Sequence, residues 1–469
     1  MFTWDRLLCA KREREHTTQN PLEVRTEFRR DYHRIIGSAS FRRLQDKAQV
    51  YPLKRGDFVR TRLTHSLEVS SFAESLGDLI FRRLKKAGAE GISNGVREDC
   101  CDILRCAGLI HDIGNPPFGH FGEFAIRQWF KENLGGLKFR GKRVGELLDD
   151  RMKGDFFSFE GNAQALRIVS KLHCLTDMST GMNLTYALLN TIIKYPVCST
   201  EIDTESGDVR TKKMGYFCAE RELFGSVTEA TGTGNFRHPL TFILEAADDI
   251  AYLTADIEDA VVKGYLDFNT LERELRSHRR DYIDDKELYD VVCSAHSALS
   301  ENAYTEFKCK PNAVQRWIIR VQNMLIYAAA DSFCANYGAI MNGEFKTALL
   351  ADSPLQVLAK LLGDIAYRYA FRSADIVRSE LSEDSMMSLL LDKIVSAALR
   401  FDTEEKRIFD RDLTEVLSEN YLEICRRACE GKSDAEQCYR RLLFATDCVC
   451  GMTDSYAEEF FRMLSGNGV

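Results

Sequence analysis

The chain has few of the residues that break or cross-link structure. Its 469 positions include 8 prolines and 30 glycines, too few for a Pro/Gly-rich disordered chain, and the scarcity favours helix over strand. No window reaches the roughly 18 uncharged apolar residues of a membrane span. The start MFTWDRLLCAKRERE lacks the layout of a secretory signal. A soluble, cytoplasmic protein is therefore expected. Cysteine is present 15 times, an odd number, yet never as C-x-x-C, so zinc-ribbon and thioredoxin-type sites are excluded. The nearest look-alikes, Cys100-Cys101, Cys425/Cys429 and Cys448/Cys450, could serve a metal but read better as buried helical thiols. Glycine-rich phosphate loops are missing too. Gly431-Lys432-Ser433 has Arg426 where the P-loop glycine would stand, Gly232-x-Gly234 lacks a third glycine, and no G-x-S-x-G exists. Any phosphate must then be held by side chains and metal.

What is present is the balance of a globular protein, 45% hydrophobic and 29% charged, with a net charge of −8. The charge is uneven. Residues 1–65 hold 15 Lys and Arg against 8 Asp and Glu, and the remainder 48 against 63. Such a basic segment needs anionic company, either the chain's own acidic surface or a phosphorylated ligand.

Helical periodicity runs from end to end. His65, Val69, Phe72 and Leu76 share one face, as do Cys100, Leu104, Ala107 and His111. Residues 313–330, 386–399 and 433–445 are also expected to be helical. Alternating strand patterns are rare, Met214–Cys218 being one short candidate, and Lys131–Gly154 and Cys198–Gly215 read as polar surface excursions. The expected fold is all-α, one continuous body with a soft boundary near 265. Residues 1–265 form a core with the basic segment, and 266–469 form a C-terminal helical region packed on it.

The chemistry concentrates in His111-Asp112-Ile113-Gly114-Asn115-Pro116-Pro117-Phe118-Gly119-His120-Phe121-Gly122-Glu123. An adjacent His and Asp end an apolar helix that Gly and two prolines stop, offering a metal two ligands from one rigid place. A lone His-Asp pair is more often a helix-end hydrogen bond, but two other segments change the balance. Arg60-Thr61-Arg62-Leu63-Thr64-His65-Ser66 puts a histidine on an apolar face within a basic run. Glu245-Ala246-Ala247-Asp248-Asp249-Ile250-Ala251-Tyr252 puts two carboxylates inside an apolar helix, where Asp is costly unless paired or bound to metal. Asp248, Tyr252 and Asp256 follow at i, i+4 and i+8 on one face.

His…His-Asp…Asp across helices resembles the ligand order of the HD phosphohydrolase superfamily. Phe41-Arg42-Arg43-Leu44-Gln45-Asp46-Lys47-Ala48-Gln49-Val50 and Thr61–Val69 narrow this to a resemblance to the bacterial deoxyguanosinetriphosphate triphosphohydrolases. His111–Glu123, Phe159-Glu160-Gly161-Asn162-Ala163-Gln164, Glu245–Tyr252 and Gly451-Met452-Thr453-Asp454 continue it in order, from about Trp4 to Ala457. Departures are small: Ala48 stands where threonine is expected, and His33 where an acid is usual.

The resemblance implies an all-α HD-domain metal-dependent core with additional C-terminal helices. The implied activity is hydrolysis of dGTP, or of other dNTPs, to deoxynucleoside and inorganic triphosphate by water attack at the α-phosphorus. It implies a divalent metal, Mn²⁺ or Mg²⁺ with Fe²⁺ or Co²⁺ as alternatives, on His65, His111, Asp112 and Asp248. By residue type alone Asp249 competes with Asp248. Asp248 is preferred because it shares its face with Tyr252 and Asp256, which the family uses on substrate. His120 is implied in proton transfer with Glu123 orienting it. Arg62, Lys194, Tyr195 and Tyr252 would lie on the phosphate side, Gln49, Asn162 and Asp256 at the sugar, and Val50 on the base. The basic excess would be explained by Arg62 and its neighbours facing the anionic ligand. Expected partners are the dNTP and further copies of the chain, as hexamer or tetramer. Single-stranded nucleic acid or an allosteric nucleotide would be additional partners; no membrane is expected. Two competing readings are an HD phosphohydrolase acting on another nucleotide, monophosphate or cyclic, and a dNTP-sensing nucleic-acid-binding regulator.

Overall fold

Two kinds of local signal start the long helices. Thr61 caps the helix Arg62–Lys86 in a reciprocal box: its hydroxyl accepts from the Thr64 amide, and the Thr64 hydroxyl accepts from the Thr61 amide. The helix Pro239–Val262 opens instead with proline in its first turn, and the His238 ring accepts from the Leu240 amide. In the computed structural model, residues 1–14, 24–50, 60–174, 180–277, 310–372 and 374–466 are described. Among them the architecture is helical almost throughout.

The helices Arg62–Lys86 and Asn94–Ile110 form the closest pair, and Pro239–Val262 crosses both. The first pair can approach because residue 108 is glycine. A Cβ there would fall 2.5–2.6 Å from the Ser70 backbone, so any side chain would push the helices apart. Helices beyond residue 265 complete the body. Lys310–Ala335 lies on Pro239–Val262 and Arg62–Lys86, while Ala374–Arg400 lies on Gly119–Asn133 and Asp434–Cys450. A single apolar core runs across residue 265.

Polar ties join the same helices. Gln164 donates to Asp447 at 2.9 Å, Arg167 pairs with Asp447 and Glu220 at 2.7 Å each, and Trp129 donates its indole N–H to Asp392 at 2.8 Å. Among the described residues, no helix is long and apolar enough to cross a membrane.

Strand appears where it was not expected. The hairpin Lys138–Phe139 and Lys142–Arg143 pairs Lys138 with Arg143 and Phe139 with Lys142, turning through Arg140 and Gly141, both at positive φ. The expected strand at Met214–Cys218 does not form. Met214 and Phe217 are fully buried there, Tyr216 stacks on Phe224 at 4.1 Å, and the segment packs into the core without forming a strand. Lys131–Gly154 is likewise more than a surface excursion. It finishes the helix Gly119–Asn133, makes the hairpin and starts the helix Asp150–Phe157, burying Leu134, Phe139, Val144 and Leu148. Elements this short leave no readable apolar period. Cys198–Gly215 is mostly turns, held by Asp203 and Asp208.

Candidate active site

Three helices bring the candidate ligands together. His65 lies one turn into Arg62–Lys86, His111 and Asp112 follow the end of Asn94–Ile110, and Asp248 sits mid-way along Pro239–Val262. Ring nitrogens of His65 and His111 and a carboxylate oxygen of Asp248 all lie within 4.8 Å of one another. Asp248 Oδ1 is 3.2 Å from His65 Nε2 and 3.3 Å from His111 Nε2. His111 Nδ1 is 2.7 Å from the Gly108 carbonyl, so Nδ1 carries a proton and Nε2 is the ring nitrogen that faces the trio. That Nε2 is buried without a hydrogen-bond partner. Two imidazole nitrogens and a carboxylate converging in a buried place fit a divalent cation.

Asp112 stands beside this trio rather than within it. One of its oxygens is 3.6 Å from His111 Nε2, and the other accepts from Arg62. Asp249, the competitor on sequence, is outside the trio. Burial pushes its carboxyl up to about 7, with Glu245 and Asp248 adding to the shift.

The electrostatics are those of a site that concentrates charge. Burial opposes ionisation of Asp248, yet Lys194 and His111 hold its carboxyl well below the usual range. Lys194 Nζ donates to Asp248 Oδ2 at 2.6 Å. Asp112 is also lowered, because Arg62 and His111 outweigh the burial. His111 is raised, since Asp112 and Asp248 overcome the desolvation that would lower it. Lys194 lies just past the helix Tyr186–Ile192. Its loop is stapled by Arg237, which donates to the Lys194 carbonyl at 2.5 Å and to Glu245 at 2.6 Å, with its guanidinium over the Tyr195 ring.

His120 and Glu123 face each other across one turn of Gly119–Asn133, His120 Nδ1 being 3.2 Å from Glu123 Oε2. The imidazole is 75% exposed while the carboxylate is buried. Glu123 Oε1 accepts from the Gly161 amide at 2.7 Å. Only glycine fits there, since a Cβ would collide with Asn115 and sit 2.7 Å from Glu123 Oε1. Burial would raise Glu123, but the bond to His120 and nearby Lys213 lower it. Glu160 pairs with Lys213 at 3.0 Å and Arg127 at 3.2 Å behind it.

Asp256 is fully buried, and among the described residues neither carboxylate oxygen has a hydrogen-bond partner; Gln49 Oε1 is orphaned in the same way. Burial, reinforced by Asp259, drives the Asp256 carboxyl well up. Tyr252 lies one turn from Asp256 and stacks on Phe371 at 5.8 Å. Phe371 ends a π-helical turn, Tyr367–Phe371, a distortion common at functional sites. Val50 and Tyr195 are buried, and Asn162 is half-buried in the first turn of Gly161–Lys171.

The reading of the basic segment needs correction. Arg12 pairs with Glu27 and Asp31, Arg29 with Asp102, Arg30 with Glu27, and Arg60 with Glu68, Glu258 and Asp259. The chain's own carboxylates answer these arginines, and among the described residues of the segment Arg62 is the arginine that pairs with a candidate ligand, Asp112. Sequence reasoning also missed Arg237 and Phe371. No periodicity or spacing singles them out, because each acts on a residue far away in the chain.

The chain is similar in sequence to known proteins. A family model described as the HD domain matches residues 62–188. The deoxyguanosinetriphosphate triphosphohydrolase-like protein of Listeria monocytogenes is 42% identical, covering 99% of both chains. One of the same name from Synechocystis is 33% identical over 99% of both. The deoxyguanosinetriphosphate triphosphohydrolase of Yersinia enterocolitica is 32% identical over 96% of this chain and 95% of its own.

Proposed function

The chain belongs to the deoxyguanosinetriphosphate triphosphohydrolase family and is a hydrolase with an HD domain, and from that premise we propose how its residues divide the work on dGTP. The reaction is hydrolysis of the bond between the α-phosphorus and the 5′-oxygen. Water adds to phosphorus, and deoxyguanosine and intact inorganic triphosphate leave. The observation that carries the reading is the trio of buried His65 and His111 with half-buried Asp248, in a chain that is 42% identical to such a relative over 99% of both.

A divalent ion on His65, His111, Asp248 and the adjoining Asp112 would supply Lewis acidity and neutralise phosphate charge. Lys194 and Arg62, which now pair with Asp248 and Asp112, would turn part of their charge to the triphosphate oxygens, with Tyr195 donating its hydroxyl. His120 transfers a proton at the 5′-oxygen or the attacking water, and Glu123 holds its Nδ1–H so that Nε2 faces the reaction. The exposure of His120 suits a group that meets substrate.

Asp256 and Gln49 take the 3′-hydroxyl, Asn162 stands on the sugar side, Tyr252 walls the ring, and Val50 packs on the base. The orphaned oxygens of Asp256 and Gln49 support this assignment, because buried acceptors without partners are rare unless a ligand supplies one.

The test is to incubate the protein with Mn²⁺ and each dNTP in turn and identify the products by ion chromatography. Deoxynucleoside with intact triphosphate is expected, with dGTP among the substrates. Pyrophosphate and a nucleoside monophosphate would overturn the proposed position of attack.

A further inference from the structure

Gly451-Met452-Thr453-Asp454 joins the helices Asp434–Cys450 and Asp454–Ser465, and nothing above gives it a task. Thr453 caps the second helix, its hydroxyl accepting from the Tyr456 amide at 3.3 Å. The Asp454 carboxylate is thereby free for other work, and it is buried. Its two oxygens reach two distant backbone amides. Oδ2 accepts from Ala48 N at 2.8 Å and Oδ1 from Phe118 N at 3.0 Å.

Both amides belong to segments with proposed roles. Ala48 precedes Gln49 and Val50, and it bridges to Thr61 just ahead of Arg62. Phe118 is the residue before the helix Gly119–Asn133 and stands two positions before His120. Its φ of 63° and ψ of 17° are left-handed, which a bulky side chain adopts only when its surroundings hold it. Its ring is buried, so its amide has no water to turn to. A second tie repeats the triangle: buried Lys47 donates to the carbonyls of Asn115 and Cys450, each at 2.6 Å. Three segments far apart in sequence, 47–48, 115–118 and 450–454, are thus locked by two charged side chains.

We infer that Asp454 is a positioning residue, which sets the first turn of the His120 helix and the segment carrying Gln49 against one another. It acts through those residues and touches no substrate. The inference rests on the proposed roles of His120 and Gln49, and it gives the last two helices a part in the chemistry.

Asp454→Asn keeps the shape but only one of the two acceptors. In the full-length protein with Mn²⁺ and dGTP, the expected result is a loss of about 10–10² in kcat, the usual cost of a reacting group displaced by about 1 Å. KM should rise too, because Gln49 and Val50 shift. Mn²⁺ affinity, measured by calorimetry, should stay within about twofold, since no candidate ligand hangs on Asp454. In a His120→Ala background the same change should cost less than about threefold in kcat, because the group it positions is gone. An unchanged kcat, an equal loss in both backgrounds, or a parallel loss of Mn²⁺ affinity would each overturn the inference.

Should Asp454→Asn fail to fold, hydrogen exchange on the unaltered protein still decides. The Phe118 amide should exchange as slowly as amides within the following helix, and exchange as fast as in an open loop would overturn the inference. If the unaltered protein makes no triphosphate from dGTP, the proposed function fails, and the exchange result stands or falls separately.

Discussion

Replacing Asp256 by alanine should weaken the enzyme and strengthen the fold at once. The side chain is fully buried, and among the described residues neither oxygen has a partner. Leaving a buried polar group unpaired costs about 1–3 kcal/mol, and the folded protein bears that cost whenever no 3′-hydroxyl is present. Removing the carboxyl should therefore raise the unfolding free energy by about 1–3 kcal/mol, read from urea titrations with an unchanged m-value. The same change removes the partner of the 3′-hydroxyl. At about 1.4 kcal/mol per factor of ten, kcat/KM for dGTP should fall by about 10–10².

The sign of the pH dependence is also set. The folded carboxyl titrates well above its ordinary value of 3.8, through burial first and Asp259 second. A group raised on folding favours the fold fully below its unfolded pKa and loses that contribution as pH rises through the folded value. The stability gap between Asp256→Asn and the unaltered protein should accordingly widen as pH is raised from about 4. Substrate comparison isolates the sugar. The unaltered enzyme should prefer dGTP over its 2′,3′-dideoxy analogue by about 10–10², and Asp256→Ala should bring that ratio near one. An Asp256→Ala protein that is less stable, yet keeps the full ratio, would make Asp256 a structural residue and refute the reasoning.

The metal assignment predicts that His111→Ala or Asp248→Ala abolishes Mn²⁺ binding in calorimetry while circular dichroism keeps the helical signal. Asp249→Ala should retain the ion, and the opposite pattern would exchange the two aspartates. His120→Ala should lower kcat by about 10²–10⁴ with Mn²⁺ affinity unchanged, and Glu123→Gln should lower it less; a change confined to KM would make His120 a binding residue. His238, buried at the start of the Asp248 helix, is pushed down to about 4 by burial. A depressed group contributes stability above its unfolded value of 6.5 that is lost as pH falls through the folded one. Urea unfolding should show about 2–3 kcal/mol lost from this group between pH 6.5 and 4. His238→Asn, which can still cap the helix, should flatten that slope.

Much of this protein was legible along the chain because its chemistry is written in short spacings. His111 and Asp112 are adjacent, His120 and Glu123 are one turn apart, and Asp248, Tyr252 and Asp256 share a face by helical geometry alone. Low proline and long 3.6-residue periods were enough for an all-α fold, since helices satisfy their backbone locally. Where the elements were only a few residues long, periodicity failed. It suggested a strand at Met214–Cys218 and missed the hairpin at Lys138–Arg143, because a strand exists only where a partner strand meets it. Which charges answer one another was likewise beyond sequence. The N-terminal arginines look like a surface for an anion, but packing sets Asp102, Glu258 and Asp259 against them.

Tertiary structure alone put His65 and Asp248, 183 positions apart, within 3.2 Å, and seated Lys194 on that same carboxylate. It alone spent both oxygens of Asp454 on amides 406 and 336 positions away. Contacts of that reach depend on how whole helices cross, and no local spacing encodes a crossing.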